Sequence, residues 1–317
     1  MSEPPTPSFA PRDSGAAPQD AHAASDVSSS DELAPLDDAG AAPAPPPPRP
    51  ELVRPRDALA AMRIRVPTRG NRRLDSVLAA ANDDDQLKAW WHVSQVNASR
   101  RGMSDHSWVH IQIVCNIALR LLRLLMRAGV QPSMVTDYEM RPRDAEVVVL
   151  AACLLHCVGM SVHRGDHEAY SLFLAADKLP DLLRGAYDEP ERSVVTAEAM
   201  HAIIGHRRRG EPHTLEGGVV RVADALDMAK GRSRVPFEAG QTNIHSLSAA
   251  AIDEVRIGPG EERAVRIEIA MNNSAGIFQV DELLATKLRG TRLQDHVEVI
   301  ARIDAEHEKR LVQVFRL

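Results

Sequence analysis

The residues that could do chemistry are dominated by histidine. His110, His156, His163, His167, His201 and His206 are followed by Asp224 and Asp227, and Cys157 adjoins His156. Imidazole and carboxylate together form a donor set for divalent first-row metals. Carboxylate-rich sites lean to Mg or Mn, and imidazole-rich ones to Zn, Fe or Mn. Such donors can hold two ions about 4 Å apart, which activate water near neutral pH and clamp a phosphoryl group. A phosphate also needs cationic partners. Lys230, Arg232 and Arg234 follow the aspartates, and Arg207-Arg208-Arg209 follows His206; arginine offers a bidentate fork to phosphate oxygens. Other residues have simpler explanations. His163 and His213 suit a surface, Asp227 a cap or ion pair, and Cys115 and Cys153 small core positions.

These side chains need helices to position them. Ile113, Ile117, Leu121, Leu124 and Leu125 recur at helical spacing, predicting a helix over 110–128 that Gly129 and Pro132 end. The near-continuous apolar run from Val147 to Leu155 predicts a helix buried on most sides, with His156 and Cys157 at its end and Gly159 just beyond. Further helices are expected near 168–178, 192–205 and 218–228. Earlier ones are expected over 57–62, over 73–81 and after Asp83-Asp84-Asp85, where acids complement a helix N-terminus ahead of the packing anchors Trp90 and Trp91. Beyond 240 the period changes. Residues 252–257 and 264–270 read as strands around the turn signal Gly258-Pro259-Gly260, then a helix over 280–288 and a strand over 296–303. Asn272 to Gly276 is expected either to close over the helical mouth or to form a turn.

Three elements carry a family likeness. His110-Ile111-Gln112-Ile113-Val114, Leu154-Leu155-His156-Cys157-Val158-Gly159-Met160 and Arg221-Val222-Ala223-Asp224-Ala225-Leu226-Asp227 together resemble the HD superfamily of metal-dependent phosphohydrolases. That pattern has an early helical histidine, a His-Asp doublet after a buried helix and a later aspartate. The resemblance covers residues 85–230. It implies a mainly α fold with an HD-type all-helical domain (55–235), and the change of period beyond it gives a small α+β C-terminal lobe (236–317). It implies hydrolysis of a phosphate ester, such as a nucleotide, by metal-activated water. His110, His156 and Asp224 would hold metal, with His156 and Asp224 central to catalysis. His167, His201 and His206 would serve a second ion, and Lys230, Arg232 and Arg234 the substrate phosphate. The cofactor would be a divalent metal: Mn, Mg, Fe or Zn. The segment from Gly231 to Leu317 resembles what one subgroup carries after this domain.

One residue departs from the pattern. The doublet is His-Cys, so a thiol stands where the family has a metal-binding carboxylate. Three readings stay open: a metal-free, non-catalytic relative that binds nucleotides or regulates; a single ion kept by His110, His156 and Asp224; or a Cys157 thiolate ligand, which favours Zn.

Composition limits the rest. Residues 1–50 hold 12 of the 21 prolines, eight acids and two arginines, so residues 1–54 are expected to be a disordered tail. The remainder has 36 basic and 36 acidic side chains, which argues against general nucleic-acid binding. Absence of a long uncharged apolar run argues against a membrane span. Three cysteines, all in apolar sequence, suit reduced thiols in the cytoplasm. The expected partner is a small phosphorylated molecule or nucleotide, and the amphipathic helices would permit a homo-oligomer.

Overall fold

The computed structural model describes residues 54–101, 103, 105–229 and 244–303, the side chains of 244–246 excepted. The expected tail (through 53), the boundary expected at 235/236, and Lys230, Arg232 and Arg234 all lie outside the described residues. The described residues fall in one compact unit, Pro48–Leu317. It is mostly helical with a small three-stranded sheet.

Local chemistry starts the helices. In α1 (Pro55–Ala60) proline occupies the first turn, where its missing N–H costs nothing. Asn71, Asp84, Ser107 and Thr214 cap α2 (Arg72–Asp83), α3 (Asp85–Arg100), α4 (Trp108–Arg127) and α9 (Leu215–Leu226). Each side-chain oxygen accepts a backbone N–H of the first turn. Between α4 and α9 come α5 (Ser133–Thr136), α6 (Pro142–Leu155), α7 (His167–Leu183) and α8 (Glu191–Gly205). The α7 helix runs five residues past its expected end, through Pro180.

The core is built on α6. Every residue from Asp144 to Leu155 is buried, and α6 packs against α2, α4, α8 and α9. Each fully buried aliphatic side chain there contributes about 1.5–3 kcal/mol. Burying two acids demands partners. Asp144 accepts from Arg73 Nη1 and the Tyr187 hydroxyl, both at 2.7 Å. Glu146 accepts from Arg123 Nε at 2.7 Å and Asn71 Nδ2 at 3.0 Å. At the other end Trp91 Nε1 donates to the Leu154 carbonyl at 3.0 Å. That bond makes Trp91 the packing anchor its position suggested and fixes the end of α6 one residue before the His-Cys doublet is reached.

Two of these helices, Trp108–Arg127 and the run Pro142–Ser161, are long and apolar enough to cross a membrane by length and composition alone, although each carries charged residues. Their most apolar windows are 61% and 94% buried inside the protein. Their apolarity is therefore used in the core.

The C-terminal lobe comprises α10 (Ile244–Ala250), β1 (Ile252–Pro259), β2 (Val265–Met271), α11 and β3 (Val297–Ile303). Here α11 denotes the π-helical segment Gln279–Ala285 running into the α-helical turn Thr286–Leu288. Strands β1 and β2 pair antiparallel, with Ile257 opposite Ile267, and β3 joins β2 in parallel. A parallel neighbour needs a crossover, which α11 provides. Val265, Ile267, Ile269 and Met271 alternate onto the buried face, and β1 and β2 lie against α4. Gly258 and Pro259 belong to β1 rather than to the turn. Proline is tolerated there because β1 is an edge strand. Asn272 to Gly276 forms a turn, not a cover: Asn272 Nδ2 donates to Asp253 Oδ1, and Asn273 Oδ1 accepts from Ala275 N.

Candidate metal centre

Cys157 Sγ belongs to two donor groups at once. His110, His156 and Cys157 form one, and Cys157, His167 and His206 the other; within each, the ligand atoms lie within 4.8 Å of one another. All five residues are buried. Buried His/Cys groups that could hold a metal ion are therefore present. The three elements of the sequence pattern converge here from α4, the end of α6 and α9. His110 Nε2 is 3.2 Å from His156 Nε2. Asp224 Oδ1 is 3.5 Å from His110 Nε2 and 3.7 Å from His156 Nε2.

Each histidine is held from behind. His110 Nδ1–H donates to Asp227 Oδ2 at 2.6 Å, and His156 Nδ1–H donates to the Cys153 carbonyl at 2.8 Å. His206 Nδ1–H donates to the Ile203 carbonyl. His167 Nδ1 lies 3.1 Å from Glu168 Oε2 and 2.9 Å from Arg164 Nη1. With the ring protonated, the carboxylate is its hydrogen-bond partner. In all four rings Nδ1 is the nitrogen held from behind, and in His110 and His156 Nε2 faces the other ring and Asp224. Metal-ligating histidines are oriented in the same way, by a carboxylate or carbonyl on the second nitrogen.

Gly159 makes the doublet turn compatible with α7. A Cβ there would lie 2.0 Å from the His167 carbonyl oxygen and 2.5 Å from Ser171 N. The close approach places His167, first residue of α7, beside Cys157. It is locked by Gly159 N donating to Ser171 Oγ at 2.9 Å and Ser171 Oγ donating to the His156 carbonyl at 2.8 Å.

The electrostatics are those of a charge-separated cluster. Burial alone would keep Cys157 a neutral thiol, but His156, His110 and His167 hold it well below its ordinary range. Burial also disfavours charge on His156, yet the Cys157 thiolate and Asp224 hold that ring well above. Against its burial, His167 is raised to about 9 by Cys157 and Glu168. Glu168, also against burial, is lowered to about 2 by His167. His206 is pushed down by burial, which Cys157 only partly offsets.

Not every expected residue arrives. His201 lies apart from the cluster. Its Nε2 accepts the His213 backbone N–H at 3.0 Å, and its ring stacks on that of His213 at 5.4 Å. The expectation of His201 as a ligand is corrected on that ground: it sits on α8, five residues before His206, and the helix turns it to another face. His163 is exposed and accepts from Gly165 N. The side chains of Arg207, Arg208 and Arg209 are exposed; Arg208 pairs with Glu282 at 3.1 Å.

Residues outside the expected ligand set also line the cluster. His106 is buried, its ring 5.6 Å from that of His110 and 6.5 Å from that of His167; its position four residues before His110 was the available signal. Asp227, a weaker candidate from sequence, proves to be the orienting carboxylate of His110. Lys287 Nζ bonds Asp224 Oδ2, and no local pattern links residues 63 apart.

No family model matches the chain, and no solved structure matches it. Over 207 residues the chain is 40% identical to the uncharacterized protein MJ1020 of Methanocaldococcus jannaschii, a stretch covering 65% of this chain and 80% of that protein.

Proposed function

The chain belongs to the family of that Methanocaldococcus jannaschii protein, and we propose that it is an HD-type metal-dependent phosphohydrolase with a thiolate in its metal centre, acting on a phosphate ester of the nucleotide class. One observation carries the reading. His110, His156 and Asp224, the residues of the three-part HD pattern, meet in a single buried cluster, with Cys157 common to two triads.

The donors fit divalent metal. His110, His156, Cys157 and Asp224 would hold one ion, and Cys157, His167 and His206 a second. A divalent ion there supplies Lewis acidity and a water nucleophile near neutral pH. The chain's own residues do the rest. Asp227 and the Cys153 and Ile203 carbonyls fix the rings. The walls of α4, α6 and α9 exclude bulk water, which strengthens every charge inside. A shared thiolate in place of a carboxylate shifts preference from Mg and Mn toward Zn.

The test loads the full chain with Zn or Mn. Bound metal is measured by elemental analysis, and turnover on a nucleotide panel and a generic phosphodiester. Stoichiometric metal and turnover are expected. In the Co-substituted protein a thiolate-to-metal charge-transfer band is expected, and Cys157→Ser abolishes it. Nucleotide binding without turnover would move the chain to the rival reading, a regulatory relative that kept the fold. Absence of both metal and turnover overturns the proposal.

A further inference from the structure

The most unusual charge at the centre comes from outside the helical bundle. Lys287, in the last turn of α11, reaches from the C-terminal lobe to Asp224 Oδ2. The other oxygen of that carboxylate faces His110 and His156. The lysine side chain is 15% exposed and that of Asp224 10%. The ammonium thus stands one carboxylate away from the first triad, at its mouth.

The backbone behind Lys287 is clamped. Arg221, one helical turn before Asp224 on α9, is buried. Its Nε donates to the Lys287 carbonyl at 2.8 Å and its Nη2 to that of Thr286 at 3.3 Å. The same guanidinium donates to the carbonyl of Gly205, the last residue of α8, and to the Arg207, Arg208 and Gly210 carbonyls of the loop after His206. Gly218, on the same helix, gives the lobe close approach: a Cβ there would lie 2.6 Å from Leu293 Cδ1. With its Cα fixed, Lys287 moves only through its flexible four-carbon stem, which carries a compact charge with three donors.

We infer that Lys287 is a phosphate-binding residue of this centre, contributed by the C-terminal lobe. The inference rests on the metal-hydrolase reading and names the group that recognises its substrate. A cation entering the His110–His156–Asp224 site competes with the ammonium for the same carboxylate. A cation held at Oδ1 would draw on the carboxylate's charge and leave the ammonium on Oδ2 only partly compensated, and its stem lets it turn to an anionic phosphoryl oxygen beside the centre.

The test uses the full-length, Zn-loaded protein and inorganic phosphate as probe. Wild type, Lys287→Met and Lys287→Arg are compared by elemental analysis and by calorimetric titration with phosphate. Equal metal content in all three shows that the fold and centre are intact. Loss of one charge-assisted hydrogen bond is expected to weaken phosphate binding about tenfold to a hundredfold in Lys287→Met, with substantial recovery in Lys287→Arg. Unchanged phosphate affinity in Lys287→Met overturns the inference and leaves the metal centre standing; tighter Zn binding alone would make Lys287 only the counter-ion of Asp224. Phosphate binding absent from Zn-loaded wild type also overturns it. A wild type that takes up no Zn defeats the functional reading itself.

Discussion

Gly159→Ala should damage stability and the second donor triad together. Gly159 does not adopt a left-handed conformation, so space, not backbone freedom, demands glycine. The added Cβ would meet the His167 carbonyl oxygen at 2.0 Å, Ser171 N at 2.5 Å and Tyr170 Cβ at 2.9 Å. Two of these are backbone atoms of a helix and cannot rotate away. Reaching ordinary contact means moving α7 off the doublet turn by about 1.5 Å. Overpacking of this kind costs about 1–3 kcal/mol. The bonds through Ser171 Oγ to Gly159 N and the His156 carbonyl then lengthen, at about 1 kcal/mol each. Alanine returns about 0.5–1 kcal/mol through its lower unfolded-state entropy. The net is a loss of about 2–4 kcal/mol in urea unfolding of the metal-free protein. Because His167 moves with α7, Zn content should also fall, while the His110–His156 pair keeps its ion. A variant within about 0.5 kcal/mol of wild type that retains full Zn content would refute the reasoning.

Two other outcomes follow from the same geometry. Glu168 is lowered to about 2 by His167, so its contribution is present above its ordinary range near 4.5 and lost as pH falls through about 2. In chelator-treated protein the stability advantage of wild type over Glu168→Gln should therefore be flat between about pH 5 and pH 6.5, fall as His167 deprotonates through about 9, and disappear by about pH 2; urea midpoints across that range check it, and an advantage that persists at the acid end contradicts it. His206→Ala should lower Zn content, whereas His201→Ala should leave it unchanged, because His201 is spent on His213. Elemental analysis of the two variants decides the point, and equal losses would restore His201 to the site.

Much of this protein is legible along the chain because much of it is periodic. The apolar run ending at Leu155 has to be a buried helix, and a buried helix has to deliver His156 and Cys157 to its own end. The helical rows of α4, the turn residues around Gly260 and the alternation in β2 are local signals of the same kind. The family likeness likewise rests on short motifs with regular spacing. What local signals cannot supply is direction around a helix end. His201 lies on α8 and His206 just past its end; the helix turns the first to His213, and the helix terminus delivers the second to Cys157. Spacing alone likewise leaves Asp227 a cap or an ion pair, whereas the fold sets its carboxylate on His110. The long-range partners were invisible altogether. Lys287 reaches Asp224 only because Arg221 and Gly218 dock a separate lobe on α9, and Gly159 is indispensable only because α7 passes within contact of it. Residue types and period determine which donors exist and which helices carry them. Close packing between elements distant in sequence decides which donors meet, since a shift of one ångström separates a ligand from a bystander.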